Sequence, residues 1–520
     1  MSTAHVTPYA SLHAALAARA PDAPVLVGDD ATWRAGALID AVAELASRLS
    51  GCQALAVLAD NGPAWVIGDL AALAAGIPHV PLPTFFSQEQ LAHVLDTTGV
   101  DTVLTDQPER IGALDLGFAI TGRWQHLIRL QRPPEESRSL PAGTAKLSFT
   151  SGSTGQPKGV CLSACGLIDT AVAVAERLSD LPVARHLVTL PLSLLLENTA
   201  GLYAPLLRGA EIHVPGLQSL GWRGMAGFDP AALQRTASQV RPSTMILVPE
   251  LLKAWSLFLA ASGQKAPDSL AFVAVGGARV DAEALARARH LGLPAYQGYG
   301  LTECGSVVSL NRPGDESADG DDAGRPLAHA SVRIVDGEVR VTTRAFLGYL
   351  GSPDSAADSP GAPRDALREY ATGDLGHIDD AGHIRLAGRS KNLLITSFGR
   401  NISPEWVEAS LLAQPAILQA VVCGEARPWL AAIIVPMPGA SGDAVAAAIA
   451  AANASLPDYA RICGWLASPP FTLENGLATG NGRPKRDAIL ARHAAEVATL
   501  YRNDSLTDNT MHKEPADVLL

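Results

Sequence analysis

The sequence predicts an α/β protein with a large, multi-subdomain N-terminal α/β domain and a small α+β C-terminal domain. At 520 residues the chain is long enough for roughly three domains or subdomains, each with its own buried core. Strand-like and helix-like stretches alternate along the first two thirds of the chain, which is typical of α/β architecture. From about Ala330 onward the strand-like runs become shorter and are bounded by turns, which indicates a change of architecture.

In the N-terminal part, helical spacing of apolar residues predicts helices over residues 12–20 and 38–49. Short apolar runs bounded by turn residues predict strands. These strands cover residues 54–59, 79–82, 188–192, 211–214, 244–248, 272–275 and 295–297. The stretches between them resemble helices, so we expect one large α/β domain.

The C-terminal part begins at a predicted boundary at Gly388-Arg389. Strands are expected at 332–335 and 338–342 before it, and an exposed loop at 351–364. Beyond the boundary we expect a helix at 405–412, strands at 421–423 and 431–435, and a helix at 443–452. The predicted domains are therefore residues 1–388 and 389–501, followed by a polar tail at 502–520 that we expect to be disordered.

Composition narrows the class of protein. The chain is 48% hydrophobic, yet charged residues such as Asp69 and Glu425 interrupt its apolar segments, so we expect no transmembrane segment. The N-terminus lacks the pattern of a secretory signal, which makes the cytoplasm the expected location. The six cysteines form no CxxC pair, which argues against a zinc or redox motif. A net charge of −12 without a basic cluster argues against nucleic acid as a partner.

The most informative segment is a loop rich in hydroxyls and glycines. It reads Thr150-Ser151-Gly152-Ser153-Thr154-Gly155-Gln156-Pro157-Lys158-Gly159. Glycines let the backbone approach an anion, while hydroxyls and one ammonium supply further donors. We interpret it as a clamp for nucleotide phosphates. It is not a Walker A loop, since Pro157 stands where that motif needs its second glycine.

Four further motifs follow in order, and together with the loop they resemble the adenylate-forming superfamily. This superfamily includes acyl-CoA synthetases, luciferases and peptide-synthetase adenylation domains. The motifs are Tyr299-Gly300-Leu301-Thr302-Glu303, Tyr370-Ala371-Thr372-Gly373-Asp374, the run from Gly388-Arg389 to Glu408, and Thr479-Gly480-Asn481-Gly482-Arg483-Pro484-Lys485. The resemblance spans most of the chain and implies that the small C-terminal domain is mobile.

The resemblance also implies roles for individual residues. Tyr299 would offer a flat face to adenine, and Gly300 beside it would belong to the nucleotide site. The backbone of Gly276, Gly277 and Ala278 would line the adenine and acyl pockets. Thr302 would bind the α-phosphate, Glu303 would bind Mg²⁺, and Asp374 would accept both ribose hydroxyls. Arg389 would begin the interdomain hinge and approach the ribose, Lys158 would assist the departure of pyrophosphate, and Gly399 would lie beside the tunnel for pantetheine.

The acid to be activated is predicted to be apolar. The segment Leu190-Pro191-Leu192-Ser193-Leu194-Leu195-Leu196-Glu197-Asn198 resembles the LPLxHxxER sequence of long-chain acyl-CoA synthetases, and Glu474-Asn475-Gly476-Leu477 resembles their ENGL sequence. Leu194 replaces the histidine and Asn198 the arginine of that pattern. Three consecutive leucines favour an apolar acid over a polar one. We therefore expect a fatty or other hydrophobic acid, with an aryl acid as the alternative.

The last motif departs from the family at its central position. Where relatives carry a lysine that bridges the substrate carboxylate and the α-phosphate, this chain has Arg483. Lys485 lies two residues on, and positions i and i+2 of an extended segment point the same way. Either cation is a candidate, and we favour Lys485 because an ammonium is the more compact charge.

These observations predict an ATP- and Mg²⁺-dependent acid–thiol ligase. A carboxylic acid would form an acyl-adenylate with release of pyrophosphate, and the acyl group would then pass to CoA. One alternative is transfer to the phosphopantetheine of an acyl carrier protein, or a stand-alone acid-adenylating enzyme. Another, from a different class, is a nucleotide-binding protein that has lost catalysis through Arg483.

Overall fold

The computed structural model describes residues 8–134, 140–151, 157–224, 227–315, 317, 320–351, 366–398, 400–479 and 482–504. The chain divides into two compact units between Ala387 and Gly388. The α-helices are α1 Pro8–Ala17, α2 Ala35–Arg48, α3 Pro63–Ala75, α4 Gln88–Thr97, α5 Pro108–Gly112, α6 Ala164–Arg177, α7 Ala204–Leu207, α8 Pro230–Val240, α9 Pro249–Ser262, α10 Ala282–His290, α11 Pro404–Leu412, α12 Gly442–Ala454, α13 Arg486–Arg492 and α14 Ala494–Asp504.

The strands of the first unit are β1 Pro24–Val27, β2 Thr32–Arg34, β3 Leu55–Leu58, β4 His79–Pro81, β5 Thr102–Thr105, β6 Ala119–Trp124, β7 Leu127–Gln131, β8 Thr144–Ser151, β9 Pro157–Ser163, β10 Arg185–Leu187, β11 Glu211–His213, β12 Trp222–Arg223, β13 Gly227–Phe228, β14 Thr244–Leu247, β15 Phe272–Val275, β16 Ala295–Tyr299, β17 Ser309–Leu310, β18 Arg325–Pro326, β19 Ser331–Val335, β20 Glu338–Thr343, β21 Phe346–Tyr349 and β22 Arg368–Ile378. β23 Ile384–Arg389 crosses the boundary, and the second unit continues with β24 Leu394–Ile395, β25 Asn401–Ile402, β26 Ile417–Cys423, β27 Leu430–Pro436 and β28 Ile462–Ala467.

Two large sheets form most of the first unit. One has the strand order β18-β17-β16-β15-β14-β10-β11-β1-β2, and its central strands from β16 to β1 run parallel. The other has the order β21-β9-β8-β4-β3-β5-β7-β6. Because parallel strands end at the same edge of a sheet, segments that follow β15 and β16 come together there, which is where ligands bind in open α/β sheets.

One apolar core joins the two large sheets. Leu26 and Phe272 come from the first sheet, Val57 and Leu162 from the second, and Trp65 from α3, which packs against α2. All five side chains are almost completely buried. Burying a large apolar side chain contributes about 1.5–3 kcal/mol, so this shared core holds the two sheets in a fixed arrangement.

A four-stranded sheet of β19, β20, β22 and β23 completes the first unit and carries the Tyr370–Asp374 motif on β22. The second unit is built around the sheet β26-β27-β28, with α11 and α12 contributing to its core. β24 and β25 form a separate small hairpin in that unit.

One of the expected strands does not form. Residues 188–192 do not form a strand: β10 ends at Leu187, and Val188, Leu190 and Leu192 are buried in an irregular segment. Pro191 lacks the N–H that a sheet ladder requires, so this apolar run contributes side chains to the core without continuing the strand. The residues expected to form the exposed loop at 351–364 lie, except for Gly351, outside the described part of the chain.

The last helix also extends beyond the predicted start of the tail at residue 502, because α14 ends at Asp504. The ring of Tyr501 packs against Trp429 with centroids 4.2 Å apart, and its hydroxyl donates to the Trp429 carbonyl at 3.1 Å. This aromatic contact holds α14 against the segment that leads into β27.

Candidate active site

The loop rich in hydroxyls and glycines connects two antiparallel strands. β8 leads into it and β9 leads out, with Thr150 opposite Lys158. Gly152, Ser153, Thr154 and Gly155 lie outside the described residues, as does the side chain of Ser151. The hairpin therefore fixes the two ends of the loop next to each other. The side chain of Lys158, at the second end, is exposed.

Two glycine-containing segments meet at the edge where the parallel strands end. β15 is followed by Gly276, Gly277 and Ala278, and the neighbouring strand β16 ends at Tyr299 and is followed by Gly300. Gly277 has φ +92°, a conformation that L side chains rarely adopt, and it is exposed together with Ala278. The strand topology thus brings together two backbone segments that the sequence analysis assigned to nucleotide binding.

Gly300 is required by a close approach of the backbone. A Cβ atom at this position would lie only 1.8 Å from the carbonyl oxygen of Ser306. The chain turns back through a short 3₁₀-helix, Thr302–Cys304, directly after this contact. The turn leaves the side chains of Thr302 and Glu303 partly exposed at the same edge of the sheet.

Asp374 forms hydrogen bonds with Tyr299 and Thr372. The Tyr299 hydroxyl donates to its Oδ2 at 2.7 Å, and its own backbone N–H donates to Thr372 Oγ1 at 3.0 Å. Burial, reinforced by the Asp374 charge, raises the pKa of Tyr299 above its usual range, so the phenol remains a donor. The structure therefore couples two residues that the sequence had assigned separately, to adenine and to ribose.

Glu303 is contacted by a tyrosine that the sequence analysis did not single out. The Tyr349 hydroxyl donates to Glu303 Oε1 at 2.9 Å and lies 2.7 Å from the Tyr370 hydroxyl. The same Tyr349 ring carries the Lys158 ammonium 3.2 Å from its centroid. Tyr349 thus connects the predicted magnesium ligand with the predicted phosphate-binding lysine.

The donor set fits Mg²⁺ held together with a nucleotide. Among the described residues there is no group of three or more histidine, cysteine, aspartate or glutamate side chains able to hold a metal ion by itself. Mg²⁺ is commonly bound through one or two carboxylates plus the phosphates of its substrate, and Glu303 could supply one such carboxylate. The exposed glycine backbone at Gly277 and the close turn at Gly300 likewise fit a flat ligand that approaches the chain closely.

The leucine-rich segment packs against this edge of the sheet. A Cβ at Gly276 would lie 3.3 Å from Leu196 Cδ2, so this leucine covers the glycine backbone. Next in sequence, the buried Glu197 accepts from the Leu190 backbone N–H at 3.1 Å and lies 3.3 Å from His186. An apolar side chain therefore lies against the glycine backbone, while the acidic side chain next to it is turned into the protein.

Asn198, which replaces the arginine of the resemblance, belongs to a buried polar cluster that the sequence did not reveal. We call the set of Asp69, His79, Lys146, Asn198 and Tyr203 the buried network. Asp69 accepts from Lys146 at 2.7 Å, from Asn198 at 3.0 Å and from Tyr203 at 2.6 Å, and its Oδ1 lies 2.6 Å from His79 Nδ1. Lys146 also donates to Asn198 Oδ1 and to the Tyr203 hydroxyl.

The buried network links the phosphate loop to the leucine-rich segment. Lys146 lies on β8, four residues before Thr150, while Asn198 and Tyr203 belong to a π-helix at Glu197–Tyr203. Two features of the sequence could have indicated it: a lysine in a strand whose other residues are uncharged, and an aspartate inside the apolar helix α3. Neither signal identifies the partner, because the five residues are spread over positions 69 to 203.

The remaining predicted site residues lie in or beside the second unit. Arg389 ends β23 and is exposed, and Gly388 before it has φ +138° and packs closely on Ser403. Gly399 lies outside the described residues. Arg483 is exposed, whereas Lys485 is partly buried and precedes α13. Backbone hydrogen bonds fix this segment, since Lys485 N donates to Leu477 O at 2.8 Å and Thr479 N donates to Arg483 O at 2.8 Å.

No helix within the described ranges combines the length and apolar character needed to cross a bilayer. None of the six cysteines, which all lie in the described ranges, forms a disulfide bond.

Comparison with known proteins identifies the family. Residues 14–344 match the model of the AMP-binding enzyme family, and residues 391–505 match that of the AMP-binding enzyme C-terminal domain. A long-chain-fatty-acid–CoA ligase, FadD15, of Mycobacterium bovis is 26% identical over 85% of this chain and 86% of its own length. A feruloyl-CoA synthase of an Amycolatopsis species is 28% identical over 75% of this chain and 79% of its own.

A solved structure with the same fold is O-succinylbenzoate coenzyme A synthetase from Bacillus subtilis, in complex with ATP and a magnesium ion. It is 22% identical, covers 92% of this chain and 98% of its own, and superposes with a TM-score of 0.70. The predicted fold class, mixed α/β with a large N-terminal and a smaller C-terminal domain, is confirmed. The chain belongs to the AMP-binding enzyme family, and the prediction of an AMP-forming acid–thiol ligase is confirmed at the level of enzyme class.

Proposed function

We propose that this enzyme uses ATP and Mg²⁺ to activate a hydrophobic, fatty carboxylic acid as an acyl-adenylate and then transfers the acyl group to the thiol of CoA. The acid's carboxylate oxygen would attack the α-phosphorus, and the bond to pyrophosphate would break. The thiol sulfur would then attack the acyl carbon and release AMP. The observation that carries the proposal is the convergence of Tyr299, Gly300, Thr302 and Glu303 with the ends of the phosphate loop in the first unit.

The nucleoside would be held by Asp374 and Tyr299. An ionised aspartate suits two adjacent hydroxyls of a ribose, because each of its oxygens accepts a hydrogen bond. The Tyr299 hydroxyl occupies one lone pair of Oδ2 and orients the carboxylate, while its ring offers a flat face to a base. The exposed backbone at Gly277 and Ala278 would allow the base to approach closely.

The phosphates would be bound by Lys158, Thr150, Thr302 and the hydroxyls of the loop. When bound at Glu303, Mg²⁺ supplies charge neutralisation for the departing pyrophosphate. Lys158 contributes a positive charge on the same side of the site, because both it and Glu303 contact Tyr349. Preorganised charges of this kind stabilise developing negative charge in the transition state.

The acid would be recognised by apolar contact. Leu196 lies against the backbone of Gly276, and the neighbouring carboxylate of Glu197 is buried away from the site. A polar acid would have to lose its hydration there without replacement hydrogen bonds, which is unfavourable. FadD15, named for long-chain fatty acids, supports a fatty acid, whereas the feruloyl-CoA synthase supports an aryl acid as the second candidate.

The test is a panel of fatty acids of increasing chain length beside benzoate- and cinnamate-type acids, with detection of acid-dependent pyrophosphate exchange. Exchange highest with a fatty acid supports the proposal, and exchange highest with a ring acid favours the second candidate. Supplying CoA or a phosphopantetheinylated carrier protein to preformed adenylate distinguishes the two acceptors. Absence of exchange with every acid would favour a non-catalytic nucleotide-binding protein.

The role of the C-terminal cations needs a separate comparison. We propose that Lys485 takes the place of the family lysine in adenylation, with Arg483 as the competing assignment. Lys485→Ala should then slow pyrophosphate exchange far more than Arg483→Ala, while both variants should still form thioester from synthetic acyl-adenylate. The opposite order would assign the role to Arg483.

A further inference from the structure

A pair of tyrosines lies next to the residues proposed to bind magnesium and phosphate. Tyr349 ends β21 and Tyr370 lies on β22, and their hydroxyl oxygens are 2.7 Å apart. Phe346 packs edge-on against both rings, with centroid distances of 4.9 Å and 5.2 Å. The three rings form a compact aromatic group, so the hydroxyl of Tyr349 has a defined position.

The backbone fixes Tyr349 beside the phosphate loop. β21 pairs antiparallel with β9, with Tyr349 opposite Val160, and Leu350 N donates to Gly159 O at 2.9 Å. Lys158 immediately precedes these paired residues on β9. The strand register therefore brings the Tyr349 ring under the Lys158 ammonium and makes the contact independent of any loop.

The ring stands between two opposite charges. Its face contacts the Lys158 ammonium, 3.2 Å from the centroid, and its hydroxyl donates to Glu303 Oε1 at 2.9 Å. An ammonium and a carboxylate that reached each other would form an ion pair and satisfy one another. An aromatic ring stabilises the cation through its face, while the hydroxyl stabilises the carboxylate, so both charges are held without being paired together.

We propose that Tyr349, supported by Tyr370, is a positioning residue for ATP and Mg²⁺. It keeps Lys158 and Glu303 apart, so that the ammonium remains available to the phosphates and the carboxylate to the metal ion. A carboxylate oxygen can accept a hydroxyl hydrogen bond while the carboxylate binds a metal, so the tyrosine would remain in place when the site is filled. This inference rests on the proposed function, because it assigns residues to the same nucleotide site.

Two substitutions separate the two contacts of Tyr349. Tyr349→Phe keeps the ring under Lys158 and removes the hydroxyl from Glu303, whereas Tyr349→Leu removes both contacts. Tyr9→Phe serves as the matched control, since it removes a partly buried tyrosine hydroxyl on α1, far along the chain from these motifs. Urea unfolding of each variant checks that the fold is retained.

The readout is ATP affinity by calorimetry, measured with saturating Mg²⁺ and with a chelator. The ratio of the two affinities is the gain that the metal ion confers. Losing a hydrogen bond to a charged group costs at least about tenfold in affinity, so Tyr349→Phe should reduce this gain about tenfold and leave metal-free affinity within twofold. Tyr349→Leu should also lower metal-free affinity about two- to fivefold, through the lost cation–π contact.

The outcomes distinguish this inference from the proposed function. A parent protein that shows the metal-dependent gain, with Tyr349→Phe within twofold of it, would overturn the positioning role and leave the proposed function standing. A parent protein without any metal-dependent gain would overturn the magnesium assignment and this inference with it. Equal losses with and without Mg²⁺ in Tyr349→Phe would indicate a structural role only and would also overturn the inference.

Discussion

The charge of Lys146 should be essential to the stability of the first unit. Lys146 and Asp69 are both buried, with side-chain exposures of 3% and 0%, and their charged atoms are 2.7 Å apart. Burial alone would raise the pKa of Asp69, but Lys146 and the hydrogen bond from His79 lower it below its usual range. Asp69 is therefore ionised at neutral pH and depends on its neighbours for compensation.

Lys146→Met removes the cation and keeps the apolar length of the side chain. Asp69 would retain its contacts to Tyr203 and Asn198, but its charge would be buried without a counterion. Removing one partner of a buried ion pair typically costs about 3–5 kcal/mol. The exposed Lys265, also in the first unit, provides the control, because Lys265→Met should change stability by at most about 0.5 kcal/mol.

The assay is urea unfolding followed by circular dichroism, with each unit's transition fitted separately. A double variant, Lys146→Met with Asp69→Asn, should recover part of the loss, because it removes the uncompensated charge as well. The pH dependence has a defined sign: a depressed carboxyl pKa contributes stability above its unfolded value of about 3.9, and this contribution is lost as the pH falls through the native pKa. A cost below about 1 kcal/mol for Lys146→Met would refute the dependence of Asp69 on the lysine charge.

Three further outcomes follow from the site. Asp374→Ala should weaken ATP binding by about 1.5–3 kcal/mol, the range for hydrogen bonds to charged groups, and unchanged affinity by calorimetry in a folded variant would exclude the ribose role. Lys158→Ala should slow adenylation roughly 100- to 1000-fold, and rates and ATP affinity within twofold of the parent would contradict the phosphate assignment. Gly300→Ala should lower the melting temperature of the first unit, because the new methyl group would lie 1.8 Å from the Ser306 oxygen. The control Gly112→Ala meets no atom within 4 Å and should leave the melting temperature nearly unchanged. Thermal unfolding of both variants makes the comparison.

The sequence predicted the parallel strands well where apolar runs were short and bounded by turn residues. The strand expected at 272–275 is β15, Phe272–Val275, and the one at 244–248 ends one residue early, at Leu247. The prediction failed at 188–192, because an apolar run records burial and does not distinguish a strand from an irregular buried segment. For the same reason, the leucines at 194–196 indicated an apolar segment but did not predict the π-helix that follows it.

The sequence predicted those parts of the site whose functional residues are neighbours in the chain. Tyr299 to Glu303 and Thr372 to Asp374 lie within single motifs, and the structure places Tyr299 against Asp374. What the sequence could not provide is contact between distant segments. Tyr349 is 46 positions from Glu303, and only the pairing of β21 with β9 brings it to both that carboxylate and Lys158.

The contacts of Asn198 explain why this chain departs from the family pattern at that position. In the sequence it stands for an arginine and weakens the resemblance to long-chain acyl-CoA synthetases. In the structure its Oδ1 accepts from Lys146 while its Nδ2 donates to Asp69 at 3.0 Å, so it satisfies a cation and an anion together. A guanidinium has only donors and would place a second positive charge against Lys146, both served by the single carboxylate of Asp69. Because like charges in a buried site are costly, an amide is the complement that this lysine requires, and the asparagine at 198 fits the charge balance of the buried network.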